Sequence, residues 1–266
     1  MRTTVLAALI ALSLVSSVSA QTTSARTPSV PGVMTQPLLP PYVAAAINDS
    51  ERQADKAIDA RRKAGEVATF TQVKPGQKVL ELIPGAGYFT RVFSAIVGAK
   101  GHVYVLWPNE YAKEDESDVL GSRKLVAQSH YANVVVLAQP AAQLSVPEPV
   151  DVVFTSQNYH DYPDPFMGKV DPAVLNKQVF AALKPGGVYV IVDHVAEAGS
   201  GLRDTDTLHR IDPAIVKKEV EAAGFVFDGE SNALRNPADT HTAKVFDKAI
   251  RGHTDQFIYR FRKPAG

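Results

Sequence analysis

Four short stretches of this sequence carry side chains able to do chemistry. Gln157-Asn158-Tyr159-His160-Asp161-Tyr162, with Asp164 just beyond, crowds amides, an imidazole and carboxylates into one segment. Asp193-His194 supplies a second carboxylate–imidazole pair, and His209-Arg210-Ile211-Asp212 a third. An imidazole beside a carboxylate can accept or donate a proton near neutral pH. His160, Asp161 and His194 are therefore candidate catalytic residues, giving acid–base assistance at a hydroxyl or amine. The same residue types also ligate metals, and they cap helices and satisfy loop backbone. Asp212 before Pro213, for one, reads as a helix N-cap. Residue type alone leaves all three readings open.

The fourth stretch is Glu81-Leu82-Ile83-Pro84-Gly85-Ala86-Gly87-Tyr88-Phe89-Thr90-Arg91. Gly85 and Gly87 let backbone approach a ligand closely, and a helix starting after them offers free N–H groups. It is not a dinucleotide fingerprint, because Thr90 stands where the third glycine belongs. Other catalytic signatures are absent from the chain: there is no Gly-x-Ser-x-Gly elbow, no phosphate loop and no His-Glu-x-x-His. No cysteine is present, which removes thiol nucleophiles, thiolate metal sites and disulfides.

These stretches need elements to position them, and the pattern along the chain supplies an alternation. Lys78 to Ile83, His102 to Trp107, Val134 to Ala138, Val150 to Ser156 and Val188 to Val192 are short apolar runs that read as strands. Between them lie helical segments over Tyr88 to Val97, Ser117 to Ser129 and Asp171 to Leu183, and another follows over Asp212 to Ala223. Phe225 to Asp228 and Gln256 to Phe261 complete the set as further strands. Strands alternating with helices require crossover connections, hence a mainly parallel sheet covered on both faces. In such a sheet ligands bind beyond the carboxyl ends of the strands, where strand order reverses. All four chemical stretches fall at or just after those ends.

Upstream, Ser50-Glu51-Arg52-Gln53 resembles a capping box that opens a charged helix ending near Lys63, with Arg61-Arg62-Lys63 as its solvated last turn. Gln21 to Pro41, rich in Thr, Ser and Pro, reads as a flexible leader. The first twenty residues have the layout of a secretory signal: Arg2, an apolar run from Val5 to Val15, then Val18-Ser19-Ala20. The expected organisation is a signal at 1–20, a leader at 21–48 and one domain at 49–266. Export, to the periplasm in a two-membrane bacterium, follows as an expectation, with no stable membrane insertion once the signal is removed. Lys plus Arg and Asp plus Glu are balanced at 28 each, with no basic stripe to suggest a nucleic-acid partner.

Val79-Leu80-Glu81-Leu82 followed by Gly85-Ala86-Gly87-Tyr88 resembles motif I of the class I S-adenosylmethionine-dependent methyltransferases. Asp151-Val152-Val153-Phe154 resembles their fourth strand, and Leu183-Lys184-Pro185-Gly186-Gly187-Val188 the turn before their fifth. Asn158-Tyr159-His160-Asp161, His209-Arg210-Ile211-Asp212 and Leu234-Arg235-Asn236-Pro237 are similar to an exported subgroup of predicted methyltransferases. The resemblance implies a doubly wound, Rossmann-like seven-stranded sheet and S-adenosylmethionine as cofactor, with methyl transfer to a small-molecule substrate. It also implies a cofactor-binding set of Glu81, Gly85, Gly87, Tyr88, Trp107, Asn109, Glu110 and Asn158. Two departures stand out. Ile83 and Pro84 replace a glycine and a small residue, and Trp107 ends the second strand where an acid usually holds the ribose hydroxyls. An indole cannot accept those hydrogen bonds, so Asn109 or Glu110 would have to reach back, or Trp107 stack on the adenine or fill the pocket. The remaining readings are a binding protein that kept the fold and lost the reaction, and a metal-assisted enzyme using His160, Asp161 and His194.

Overall fold

The computed structural model describes residues 38–114 and 116–266. The expected signal and most of the expected leader lie outside them. The folded unit runs from Leu39 to Gly266, so it begins earlier than residue 49. Helix α1 (Pro41–Ile47), with proline in its first turn, buries Val43 and Ala46. Asp49 rather than Ser50 is the cap: its carboxylate accepts the Glu51 N–H at 2.9 Å. The segment after it is a 3-10 turn, Ser50–Asp55, kinked at Arg52, and only then comes α2 (Lys56–Arg62). The single charged helix expected here is broken because Arg52 and Asp55 turn inward and are buried. Lys63, at φ 51°, reverses the chain into α3 (Ala64–Phe70).

From Lys78 the alternation appears as expected: β1 (Lys78–Leu82), α4 (Tyr88–Val97), β2 (His102–Pro108), α5 (Asn109–Glu114), α6 (Glu116–Val126), β3 (Val134–Gln139), β4 (Val150–Ser156), α7 (Pro172–Ala182), β5 (Leu183–His194), α8 (Thr205–Leu208), α9 (Pro213–Ala222), β6 (Val226–Ser231) and β7 (Gln256–Arg262). The seven strands form one sheet in the order β3-β2-β1-β4-β5-β7-β6. Strands β1 to β5 pair in parallel, and β7 lies antiparallel between β5 and β6. Order reverses between β1 and β4, which sets the ligand crevice at their carboxyl ends.

Side chains alternate between two apolar layers, as pleating demands. On β5, Val188, Val190 and Val192 join the layer of Phe89, Phe93 and Ile96 from α4. Tyr189 and Ile191 join the opposite layer, with Leu175 and Val179 of α7 and Val216 and Val220 of α9. Phe154 of β4 packs edge-on to Phe89 and Phe93, ring centroids 4.8 and 5.0 Å away. Asp171 and Asp212 cap α7 and α9 by accepting the N–H two residues on, at 2.8 and 2.9 Å. The glycine turn entering β5 is steric in origin. A Cβ on Gly187 would stand 2.8 Å from the Lys184 carbonyl oxygen and 2.9 Å from a Leu183 methyl, closer than packed atoms tolerate. No helix among the described residues is long and apolar enough to cross a membrane.

Candidate active site

A cavity of about 580 Å³ opens beyond the carboxyl ends of β1, β4 and β5. Its floor is the turn after β1: Ile83, Pro84, Gly85 and Ala86, with Tyr88 at the start of α4. Its polar wall is the segment after β4, from Ser156 to Asp161, together with His194 and His209. Ile58 and Arg62 of α2, Tyr111 and Glu114 of α5, and Val245 and Phe246 close it from other sides. Six of the residues expected from sequence thus meet on one cavity: Gly85, Tyr88, Asn158, His160, Asp161 and His194.

The turn after β1 is unusual in its backbone. Ile83 has φ 50° and Gly85 φ 53°, so isoleucine adopts the left-handed conformation that a glycine would take without strain. For a β-branched side chain that costs roughly 1–2 kcal/mol. The conformation is held by the Ile83 N–H donating to the Leu106 carbonyl at 2.9 Å and by burial of the side chain to 3% exposure. A Cβ added at Gly85 would meet no protein atom within 4 Å. The space there is open, and Gly85 is among the residues that line the cavity.

The acidic and basic residues of the N-terminal helices hold this turn from above. The Arg91 guanidinium binds both carboxylate oxygens of Asp55 and donates to the Ala86 carbonyl at 2.9 Å. Tyr88 donates its hydroxyl to Asp59 at 2.6 Å, and Arg52 donates to the same oxygen at 2.7 Å. Arg62 lies over the Tyr88 ring at 4.7 Å and the Phe89 ring at 5.2 Å. It is a stacked residue of the cavity wall, not part of a solvated last turn.

Five expected cofactor residues do not line the cavity. Glu81 is buried beneath the turn and accepts the Thr90 hydroxyl at 2.5 Å, tying β1 to α4. Burial pushes its carboxyl up to about 7, against the lowering influence of Thr90, Arg62 and Arg91. Gly87 is the N-cap of α4 at φ 74°, where a Cβ would press on Leu125 and Arg91 at 3.2 and 3.3 Å. Trp107 is fully buried; its indole N–H donates to Ser122 at 3.1 Å and its ring tilts against Tyr111. It fills the core instead of facing a ligand. Asn109 is exposed, and Glu110 turns away to accept the Ala141 N–H at 2.8 Å. Among the described residues of this side, the carboxylate-bearing one that lines the cavity is Glu114, one turn further along α5. Sequence reasoning missed it because Glu110 and Glu114 share one face of α5, and only the distant Ala141 N–H, which engages Glu110, separates their roles.

The polar wall is a connected cluster. Asp193 accepts the His160 backbone N–H at 2.9 Å and sits 2.8 Å from His160 Nδ1. His160 Nε2 lies 3.2 Å from Asp161 Oδ1 and 3.4 Å from His209 Nδ1. Asn158 donates to the other Asp161 oxygen at 3.1 Å. Burial opposes a charge on His160, yet Asp193 and Asp161 on either side of the ring outweigh it and hold its pKa well above the usual imidazole range. Burial likewise opposes charge on Asp161, but the neighbouring His160 holds it ionised, below the usual carboxylate range. His194 goes the other way: burial pushes it down to about 3, with Nδ1 2.7 Å from the Thr254 hydroxyl. The two rings are thus biased in opposite directions, His160 toward its protonated form and His194 toward its neutral form. His209, outside the expected catalytic set, joins the wall through a left-handed turn at φ 53°.

Residues 38–226 match the family model of protein-L-isoaspartate(D-aspartate) O-methyltransferase (PCMT). Among curated proteins, the chain is similar to the ubiquinone/menaquinone biosynthesis C-methyltransferase UbiE of Vibrio vulnificus, at 32% identity over 186 residues. That alignment covers 69% of this chain and 60% of the relative, so the chain spans about three-fifths of the relative's length. Two solved structures share the fold. A SAM-dependent methyltransferase from Aquifex aeolicus aligns with TM-score 0.53 and 19% identity over 83% of this chain and 97% of its own. The [4+2]-cyclase SpnF aligns with TM-score 0.58 and 18% identity, over 77% and 81%.

Proposed function

Because the chain belongs to the protein-L-isoaspartate(D-aspartate) O-methyltransferase family, among the S-adenosylmethionine-dependent methyltransferases, we propose that its cavity binds S-adenosylmethionine and serves methyl transfer to a small-molecule acceptor. The observation that carries this reading is Gly85, which lines the cavity beside the start of α4 and has open space where a side chain would stand. The residues present fit the cofactor. The volume of about 580 Å³ lies inside the range of about 300–1,000 Å³ typical of small-molecule sites. Gly85 and Ala86 would take the methionine portion against the helix N-terminus. Glu114 would accept from the ribose hydroxyls in place of the acid missing at the end of β2. When bound, the cofactor supplies a methyl group already activated on a sulfonium.

The chain's own part is therefore positioning. The wall of Asn158, His160 and Asp161 offers hydrogen bonds that orient an acceptor, while Tyr111, Phe166 and Phe246 shield the cavity with apolar rings. Titration calorimetry of the purified protein with S-adenosylmethionine tests the reading, and no detectable heat of binding removes it. Gly85→Ala sharpens the test, since it adds a methyl at a cavity-lining residue where it would touch no protein atom. Cofactor affinity is expected to fall about tenfold or more, equivalent to about 1.4 kcal/mol. The ligand-free variant should lose only the roughly 1–2 kcal/mol of a left-handed alanine.

A second reading is a protein that binds a small molecule in this fold without methyl transfer; fold does not dictate reaction. The strained Ile83 and the core-filling Trp107 favour it. Binding of S-adenosylmethionine too weak to measure, with another small molecule recovered by native mass spectrometry, would select this reading. We also propose export, supported by the signal layout of the first twenty residues. Amino-terminal sequencing of the protein from its native host checks it. A new terminus just after Ala20 is expected, and an intact Met1 start in the cytosolic fraction would refute export.

A further inference from the structure

We propose that His160, Asp161 and His209 form a binding site for one divalent transition-metal ion on the cavity wall. The three contribute ligand atoms that all lie within 4.8 Å of one another. The separations are 3.2 Å from His160 Nε2 to Asp161 Oδ1, 3.4 Å from His160 Nε2 to His209 Nδ1, and 3.8 Å from His209 Nδ1 to Asp161 Oδ1. Ligands about 2.1 Å from a tetrahedral ion stand roughly 3.4 Å apart, so a small ion fits this triangle with little movement. The two imidazole planes are almost perpendicular, at 85°, and both rings can aim a nitrogen at a common point.

The residues behind the triangle are arranged as metal sites require. A ligating histidine holds its other nitrogen against a carboxylate, which fixes the tautomer and the ring. Asp193, fully buried, does this for His160 at 2.8 Å through Nδ1 and adds the backbone N–H at 2.9 Å. Asn158 occupies the far oxygen of Asp161 at 3.1 Å and leaves Oδ1 for the ion. Coordination would release the Nε2 proton of His160 to solvent, and the ion would take over the charge that the imidazolium carries between the buried carboxylates Asp161 and Asp193. His209 is set in place by its left-handed backbone, with its N–H donating to Thr205 at 3.0 Å. His194 is outside the set: its Nδ1 is engaged by Thr254, and its ring centroid lies 6.2 Å from that of His160.

Two imidazoles and one carboxylate select zinc, iron or manganese over magnesium and calcium, which prefer all-oxygen sites. Three protein ligands leave a position for a further group, and all three residues line the cavity. That position would take an oxygen of the cavity's small-molecule ligand, or water. The inference stands on the wall residues alone and does not depend on methyl-donor binding.

The test is zinc titration by calorimetry on the chelator-treated, dialysed full chain, with cobalt(II) absorption as a second readout. One equivalent of zinc is expected, with visible cobalt bands of low-coordinate geometry. His209→Gly, suited to the left-handed backbone, should weaken zinc binding by about 100-fold and bleach the cobalt bands. Asn158→Ala, which touches no ion, should weaken it by roughly tenfold. His253→Ala, at an exposed histidine far along the chain, should leave binding unchanged. Asp161→Asn carries the same expectation as His209→Gly, so a folding defect in one variant leaves the other decisive. Absence of stoichiometric zinc, or equal affinity in the wild type and these two folded variants, overturns the site.

Discussion

Arg210→Met is expected to destabilise the protein by about 3–5 kcal/mol, because it strands a buried charge. Arg210 and Asp239 are both buried, with side-chain exposures of 0% and 0%. The guanidinium meets the carboxylate with two bonds, at 2.9 and 3.1 Å, and spends its other donors on the carbonyls of Ala243 and Val195 at 2.9 Å each. Asp239 in turn accepts the backbone N–H of Asp255 at 2.7 Å and of His241 at 3.0 Å. The pair therefore pins the irregular chain between β6 and β7 to the turn that follows α8. That irregular chain supplies Val245 and Phe246 to the cavity, and Thr254 to His194. Loss of Arg210 should loosen the cavity wall as well as the fold.

Equilibrium urea unfolding of the wild type, Arg210→Met, and Arg210→Met combined with Asp239→Leu measures this. The double variant should recover only part of the loss, since an apolar pair leaves no orphan charge but still strands the Asp255 and His241 N–H groups. A single variant less than about 1 kcal/mol below wild type would mean that water reaches Asp239 and the pair is not sealed.

Glu81→Gln should change the pH dependence of stability, with an effect of about 3 kcal/mol. The Glu81 carboxyl is raised from 4.5 to about 7 by burial, so the folded protein holds that proton more tightly than the unfolded chain. Its contribution is complete below pH 4.5 and is lost as pH rises through about 7. A shift from 4.5 to about 7 corresponds to about 3 kcal/mol at 1.36 kcal/mol per unit. Glutamine keeps an oxygen for the Thr90 hydroxyl and carries no proton to lose. Relative to wild type, the variant should gain stability steadily between pH 4.5 and 8 and show no further gain above that. Denaturant melts at a series of pH values would give parallel curves if the carboxyl were ionised throughout, and that outcome defeats the prediction.

The rhythm of strands and helices was legible from the order of residues because parallel strands buried on both faces must be apolar throughout. Val150 to Ser156 was readable to the residue for that reason, and helix Tyr88 to Val97 because its start follows the Gly85–Gly87 turn and Gly98 ends it. Helices α3, α5 and α8 were not, being 7, 6 and 4 residues long, too short for periodicity to accumulate. The break between the 3-10 turn and α2 was hidden as well. It depends on Arg52 finding Asp59 and the Ile47 carbonyl, partners that a local pattern cannot reveal.

The candidate site divides along the same line. Which loops would face a ligand followed from the sequence, since parallel topology dictates the carboxyl-end rim. Hence Gly85, Asn158, His160, Asp161 and His194 could be named in advance. Which way each side chain turns on that rim was decided only by tertiary packing. Trp107 sank into the core because Ser122 and Tyr111 accommodate it, and Glu110 is drawn to the Ala141 N–H while Glu114, a turn further along the same face, lines the cavity. The protonation of His160 and His194 was likewise beyond reach: Asp193 and Asp161 outweigh burial at the first ring, whereas at the second burial, helped by His160 and Arg210, outweighs Asp193. Hydrophobic order along a chain encodes layers and strand ends through local spacing. The direction and charge of a polar group are settled by neighbours far away in sequence, so they exist only once the chain has folded.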